Sequence, residues 1–197
     1  MSALAKRHYN AKLLVFGIGR DSFFWAKTMN RYGETVFLED NTKWASQAKN
    51  LNVHLVRYAT APNARWQQNI QQYKNSQILK KENQKFLEIE GVPPDLFKRW
   101  WDIILIDGPA GYNGRMPGRM APIFQVARIL AQQRTEKPCA AVDIFVHDFN
   151  RQIEREWSLL FLTPQARFIN YKNIEMIKHS RTTNHPNDTF LGWFHMP

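Results

Sequence analysis

The sequence predicts an α/β fold, a doubly wound and mostly parallel sheet of about seven strands that ends in an antiparallel C-terminal hairpin. Three observations predict it. An apolar strand, Leu13 to Phe16, runs into the turn Gly17-Ile18-Gly19, and the next strand ends in Glu39. Apolar strand-length runs then alternate with helix-length segments as far as Leu162. Two strand-like segments, Arg167 to Ile174 and Thr189 to His195, follow with no helix between them.

The unbroken apolar run of the first strand suits a central position covered on both faces. Asp21 or Ser22 is placed to cap the following helix, which extends through about Arg31. Thr35 to Leu38 reads as the second strand, Thr42 to Asn50 as a short helix and Val53 to Val56 as the third strand, left by Arg57 and Tyr58. Residues 62–99 break this rhythm. Trp66, Ile70 and Tyr73 have helical spacing among many Gln, Asn and Lys, and Gly91-Val92-Pro93-Pro94 punctuates the segment. It reads as a polar, mainly helical, partly exposed elaboration of one domain spanning residues 1–197, too polar to build its own core.

Trp101 to Ile106 is the fourth strand and ends in Asp107-Gly108-Pro109. A loop through Gly111, Tyr112, Gly114, Arg115, Pro117 and Gly118 leads to a helix from near Arg119 to about Gln133. Ala121, Phe124, Ala127, Ile129 and Leu130 form its expected buried stripe. Ala141 to Val146 is the fifth strand, followed by His147-Asp148-Phe149-Asn150 and a helix from Arg151 to Leu162. Arg181 to Asp188 is the polar turn of the closing pair. Trp25, Trp66, Trp100, Trp101 and Trp157 lie in or beside apolar patterns and belong to the core, and Trp193 is structural.

Composition bounds the function. At 197 residues and 44% apolar content, the chain has enough material for one full core. Its single cysteine, Cys139, excludes an intrachain disulfide framework and a CxxC metal cluster. No run of 18 apolar residues occurs, so no membrane span is expected. Residues Met1 to Lys12 are mixed and basic, without an apolar leader core, so a soluble domain is expected. Lys and Arg number 27 against 17 acidic residues, a formal net charge of +10. That excess suits a polyanion, either nucleic acid or an acidic polysaccharide.

The strand count and late hairpin match the class I S-adenosylmethionine (SAM)-dependent methyltransferase fold, a Rossmann-like fold, better than a dinucleotide dehydrogenase. Ser22 stands where the dehydrogenase turn needs its third glycine, and no second mononucleotide half is present.

Ordered blocks narrow the assignment further. They are Leu14-Val15-Phe16-Gly17-Ile18-Gly19-Arg20-Asp21-Ser22; Phe37-Leu38-Glu39-Asp40 with Lys43-Trp44; the run from Trp101 to Tyr112; Pro117 to Phe124; and Val146 to Arg151 with Glu154. Together they resemble the plant glucuronoxylan 4-O-methyltransferase family and its irregular-xylem relatives. The resemblance implies S-adenosylmethionine as cofactor and methylation of a hydroxyl of glucuronic acid in a polysaccharide or oligosaccharide. Two departures stand out. Arg20 replaces a usual histidine, and Ala110 stands where a lysine-bearing loop is usual. The plant enzymes also carry an N-terminal Golgi anchor. The expected location is therefore cytoplasmic for a full-length chain, or the Golgi lumen for a fragment of an anchored protein.

Within this frame, Gly17 and Gly19 let the backbone pass close to the cofactor. Asp21 meets its amine or serves as a helix cap, and Glu39 accepts from the ribose diol. Asp40 either joins Glu39 or stays in water, and Trp44 covers the cofactor edge. Arg57 and Tyr58 line the adenine side. Asp107 ends a strand where ligands meet an open sheet, facing cofactor and acceptor alike. His147 and Asp107 are competing general bases, with Asp148 beside them. Asp107, Asp148 and Asn150 also form an oxygen-rich set suited to a divalent metal ion. Arg115, Arg119 and Arg151 suit a uronate carboxylate, and Tyr112 a pyranose ring. The expected partner is a uronic-acid-containing glycan. The alternatives are an RNA or other polyanion methyltransferase, disfavoured by the lack of the Asn/Asp-Pro-Pro-aromatic motif, and a noncatalytic polysaccharide-biosynthesis protein.

Overall fold

In the computed structural model the described residues are 10–59, 70–71, 84–113, 115–137, 141–174 and 189–197. Nine strands occur among them: β1 (Lys12–Phe16), β2 (Glu34–Glu39), β3 (Asn52–Leu55), β4 (Arg57–Tyr58), β5 (Ile89–Glu90), β6 (Ile103–Ile106), β7 (Val142–His147), β8 (Arg167–Ile174) and β9 (Thr189–Met196). Seven of them build one sheet in the order β3-β2-β1-β6-β7-β9-β8. The first five in that order pair parallel, and β9 pairs antiparallel with both β7 and β8. The strand order reverses between β1 and β6, so a crevice opens beyond their carboxyl ends. Among the described residues, no helix is long and apolar enough to cross a membrane.

The alternating side chains of the strands divide the core in two. Leu14, Phe16, Val36, Leu38, Ile104, Ile106, Ile144 and Val146 point to the larger side, with Phe194 from β9. The long helix α3 (Met120–Glu136) and helix α4 (Gln152–Leu162) contribute to the same core through Ile123, Val126, Leu130, Trp157 and Leu162. The start of α3 is pinned to the middle of α4: the Trp157 indole N–H donates to the Met120 carbonyl at 2.8 Å. Leu13, Val15 and Phe37 form the smaller core, against Ile18 and Trp25.

Several expectations shift. The helix after the glycine turn is short: α1 (Ser22–Phe24) passes into a π-helical turn, Trp25–Met29. Asp21 does not cap it with its side chain; instead it accepts the Trp25 indole N–H at 2.7 Å. Helix α2 (Thr42–Gln47) is capped by the Asn41 side chain, which accepts from the N–H groups of Lys43 and Trp44. On α3, Phe124 and Ala127 are only half-buried, and Met120, Ile123 and Val126 carry more of the packing. Of the tryptophans, Trp101 and Trp157 are fully buried, whereas Trp25 and Trp100 are half-buried. Trp66, Tyr73, Gly114, Cys139 and the Arg181–Asp188 turn lie outside the described residues.

The elaboration read over residues 62–99 does not stand apart from the domain. Its described parts place Ile70, Leu87 and Leu96 in the main core, each at most 4% exposed. Strand β5 pairs antiparallel with β4, a small two-stranded sheet that the polar composition hid.

Candidate functional site

Register positions the site. Phe16 pairs with Leu38 and with Ile106, and Ile106 pairs with Val146. The residues that follow these four, namely Gly17, Glu39, Asp107 and His147, therefore come to one edge of the sheet. Because parallel strands all point the same way, matched ends gather residues far apart in sequence.

On the β1–β2 side the site is made largely of backbone. Gly17 has φ +101, and a Cβ there would stand 2.8 Å from the Gly108 nitrogen. Its glycine is required both by conformation and by the close approach of the β6 loop. Both oxygens of the buried Glu39 carboxylate accept backbone N–H groups, from Ile18 at 2.6 Å and from Asn41 at 2.7 Å. Burial raises its pKa, the charge of Asp40 adds to this, and the backbone donors pull the other way. Each carboxylate oxygen retains a lone pair for a further donor. Gly19 donates its N–H to the Ser22 hydroxyl at 2.9 Å. Asp40 and Trp44 are exposed beside this turn. The Tyr58 hydroxyl is buried without a hydrogen-bond partner among the described residues. Burial, then the charges of Asp40 and Glu39, raise its pKa. Arg57, by contrast, faces outward in an ion pair with Glu90.

On the β6–β7 side the site is made of charged side chains. Nδ1 of His147 lies 3.1 Å from Asp107 Oδ1 and 3.1 Å from Asp148 Oδ1, between the two and aligned squarely with neither. Burial disfavours its imidazolium, but Asp148 and Asp107 outweigh that and hold the pKa above the ordinary value of 6.5. Burial raises the pKa of Asp107 against the opposing charges of His147 and Arg119. Asp148 goes the other way. Burial would raise it, but His147, Arg119 and Arg151 hold its carboxyl well below the usual carboxylate range.

Asp148 is also held in a left-handed backbone conformation, φ +57, uncommon for a residue with a side chain. The following residue anchors it. Phe149 is 2% exposed and stacks on Phe168 at 5.4 Å, and its ring covers Gly192, where a Cβ would fall 2.3 Å from the ring. The C-terminal hairpin is thus the buttress of the His147–Asp148 loop.

The three arginines do not behave alike. Arg119, read from the sequence as part of an anion grip, is turned inward and is 4% exposed. Its NH2 donates to the Asp107 carbonyl at 2.8 Å and lies 3.3 Å from Asp107 Oδ1. Its NH1 lies 2.8 Å from Asp148 Oδ2 and 3.2 Å from Glu154 Oε1. Arg151 is half-exposed, with NH1 3.0 Å from Asp148 Oδ2. It lines an open depression of about 430 Å³ together with Gly111, Tyr112, Gln152, Ile153 and Glu154. Arg115 is exposed with no ion pair among the described residues, and Tyr112 is 72% exposed.

The proposed metal set does not fit this arrangement. Among the described residues no three His, Cys, Asp or Glu side chains converge as ligands. A guanidinium already bridges Asp107 and Asp148, so a cation there would face a like charge, and Asn150 is exposed. The residue that sequence reading left without a role is Glu154, which is 2% exposed and paired with Arg119. The available signal was the Arg151-x-x-Glu154 spacing at the start of a helix, which puts both side chains on one face.

Comparison with known proteins bears on the fold and the family. The whole chain superposes on 85% of a precorrin-6y C5,15-methyltransferase from Geobacter metallireducens with a TM-score of 0.52 and 15% identity, which shows the fold to be that of class I methyltransferases. Glucuronoxylan 4-O-methyltransferase 2 of Arabidopsis thaliana is 35% identical over 158 residues, covering 76% of this chain and 52% of its own. Arabinogalactan O-methyltransferase 1 of the same plant is 34% identical over 178 residues, covering 83% of this chain and 59% of its own. The chain therefore spans a little over half the length of these relatives. Residues 1–177 match the family described as IRX15/IRX15L/GXM, and the chain belongs to that family.

Proposed function

We propose that this chain is an S-adenosylmethionine-dependent O-methyltransferase acting on a hydroxyl, the 4-hydroxyl by family resemblance, of glucuronic acid in a glycan. The single observation that carries this reading is His147 set between Asp107 and Asp148 on the same sheet edge as the Gly17 turn and Glu39. The names of the relatives, glucuronoxylan and arabinogalactan methyltransferases, support the glycan class.

The residues on the β1–β2 side suit the nucleoside end of such a donor. Glu39 offers its remaining lone pairs to a ribose diol, and the buried Tyr58 hydroxyl, without a partner among the described residues, offers a polar group nearby. Gly17 and Gly19 leave backbone exposed for the amino-acid end, and Asp21 stands close enough to influence Asp107. S-adenosylmethionine, when bound, supplies an electrophilic methyl group.

Mechanistically, His147 accepts the proton of the acceptor hydroxyl at Nε2, which makes no hydrogen bond among the described residues. Asp107 and Asp148 flank the opposite ring nitrogen, each at 3.1 Å, and their charges favour the imidazolium as it forms. Arg151, half-exposed in the depression beside Gly111, orients the uronate carboxylate, with Arg115 as a second cation. Tyr112 supplies a face for the sugar ring. Most of the rate gain comes from holding the reacting atoms in line at about 3 Å.

The test offers labelled S-adenosylmethionine with three acceptors: a glucuronic-acid-bearing oligosaccharide, its neutral glucose counterpart and RNA. Label on the uronate is expected. Label in RNA alone overturns the assignment, and that outcome would return the charge of +10 to a nucleic-acid role.

A further inference from the structure

We propose that Arg119, anchored by the buried carboxylate of Glu154, is a positioning residue that clamps Asp107 and Asp148 on either side of His147 and does not read the acceptor's charge. This rests on the proposed role of His147 as base.

Four contacts tie the Arg119 guanidinium to three elements: two to Asp107 at the end of β6, one to Asp148 after β7 and one to Glu154 in the first turn of α4. A guanidinium presents its donors in a rigid planar fork, so it fixes the angle between its partners as well as their distance. Asp107 and Asp148 follow paired strands, and without a cation between them their charges would push them apart. Arg119 relieves that repulsion and takes Asp148 through Oδ2, which leaves Oδ1 to face His147.

Glu154 explains why the fork stays inside. Its carboxylate is 2% exposed and its Oε1 accepts from Arg119 NH1 at 3.2 Å. A buried carboxylate is costly unless paired, so Glu154 and Arg119 hold each other in place. The frame around them is stiff. Arg119 is the N-cap residue of α3, and the adjacent Met120 carbonyl takes the Trp157 indole N–H from α4. With 4% exposure and both terminal nitrogens engaged by Asp107, Asp148 and Glu154, Arg119 has almost no surface to offer a substrate carboxylate. That task is left to the exposed side of Arg151. The arrangement separates two uses of positive charge in one site: an internal one for geometry and an external one for recognition.

The experiment compares the full chain with Arg119→Lys, Arg119→Met and Glu154→Gln, using folded protein verified by circular dichroism. Lysine keeps the charge but loses the fork, and serves if the methionine variant fails to fold. Kinetics on uronate and neutral oligosaccharides should show kcat falling at least about tenfold for Arg119→Lys on both acceptors, with KM for each within about threefold. Glu154→Gln keeps the acceptor oxygen and should lose less, about threefold to fivefold. A selective rise in KM for the uronate with kcat retained would overturn the proposal. A crystal structure of Arg119→Lys provides an acceptor-independent reading. Displacement of Asp107 or Asp148 from His147 is expected, whereas both carboxylates retained at their 3.1 Å positions would also overturn it. Wild-type protein that methylates neither acceptor would sink the functional assignment, and the crystal structure would still decide the clamp.

Discussion

The two halves of the crevice are built from different materials. On the β1–β2 side, Glu39 is held by the N–H groups of Ile18 and Asn41, and Gly17 is pressed against the backbone of Gly108. On the β6–β7 side, Asp107, Arg119, His147, Asp148 and Glu154 hold one another through side chains. Backbone amides cannot change their charge, so in the first half they hold the Glu39 carboxylate in one position. The second half has three carboxylates against two guanidiniums, Arg119 and Arg151, and a histidine whose proton completes the balance. Such a cluster is suited to moving a proton. The division predicts that damage to the first half appears in cofactor binding and damage to the second in turnover.

The largest effect should come from His147. His147→Asn is expected to lower kcat by about 10²- to 10⁴-fold, the usual range for loss of a general base, with cofactor affinity retained. Calorimetry and steady-state kinetics on one preparation check both parts. Retained turnover would break the contrast between the halves. The pH profile sharpens the same point. Only the neutral imidazole accepts a proton, and its pKa is held above 6.5, so the acid limb of kcat/KM should lie above that value. Asp107→Asn removes one of the charges that raise it, and the limb should move to lower pH.

Next in size is Glu39→Gln, which should weaken S-adenosylmethionine binding by about tenfold to a hundredfold, since a hydrogen bond to a charged group contributes about 1.5–3 kcal/mol. Acceptor KM at saturating cofactor should hardly move. Equal losses for both ligands would erase the proposed division.

Within the acceptor half, Arg151→Gln should raise KM for a uronate acceptor by about tenfold and leave a neutral sugar nearly unchanged, one charge-assisted contact being at stake. Parallel kinetics on the matched pair of oligosaccharides measure it. Tyr112→Ala should have the smallest effect, roughly twofold to fivefold in KM for either acceptor. Its side chain is 72% exposed, and stacking by one exposed ring is weak. A selective effect on the uronate would place the tyrosine beside the carboxylate instead.

Much of the fold was legible because local rules and the final structure agree. Leu13 to Phe16 and the closing pair of strands fall where their patterns put them, since apolar runs bounded by turns have few other ways to be buried. The small β4–β5 sheet was hidden because two-residue strands carry no period to read. The core contribution of Ile70, Leu87 and Leu96 was hidden because isolated apolar residues in a polar segment do not announce their partners. Asp107, His147 and Asp148 were recognisable as candidates from their positions at strand ends. Arg119 was not recognisable as internal, because an arginine beside glycines and a helix start reads as exposed until its partners are seen.

By itself, then, the sequence determined the order of the main-sheet strands and their helices along the chain, the glycine turn after the first strand and the acidic strand end across from it. Those follow from periodicity, conformational preference and the placement of charge along the chain. Tertiary structure alone decided which charges meet. Parallel register brought Asp107 beside His147 across 40 positions, and the packing of α4 on α3 brought Glu154 to Arg119 across 35. An ion pair depends on distance and burial in three dimensions, and neither is encoded in spacing along the chain.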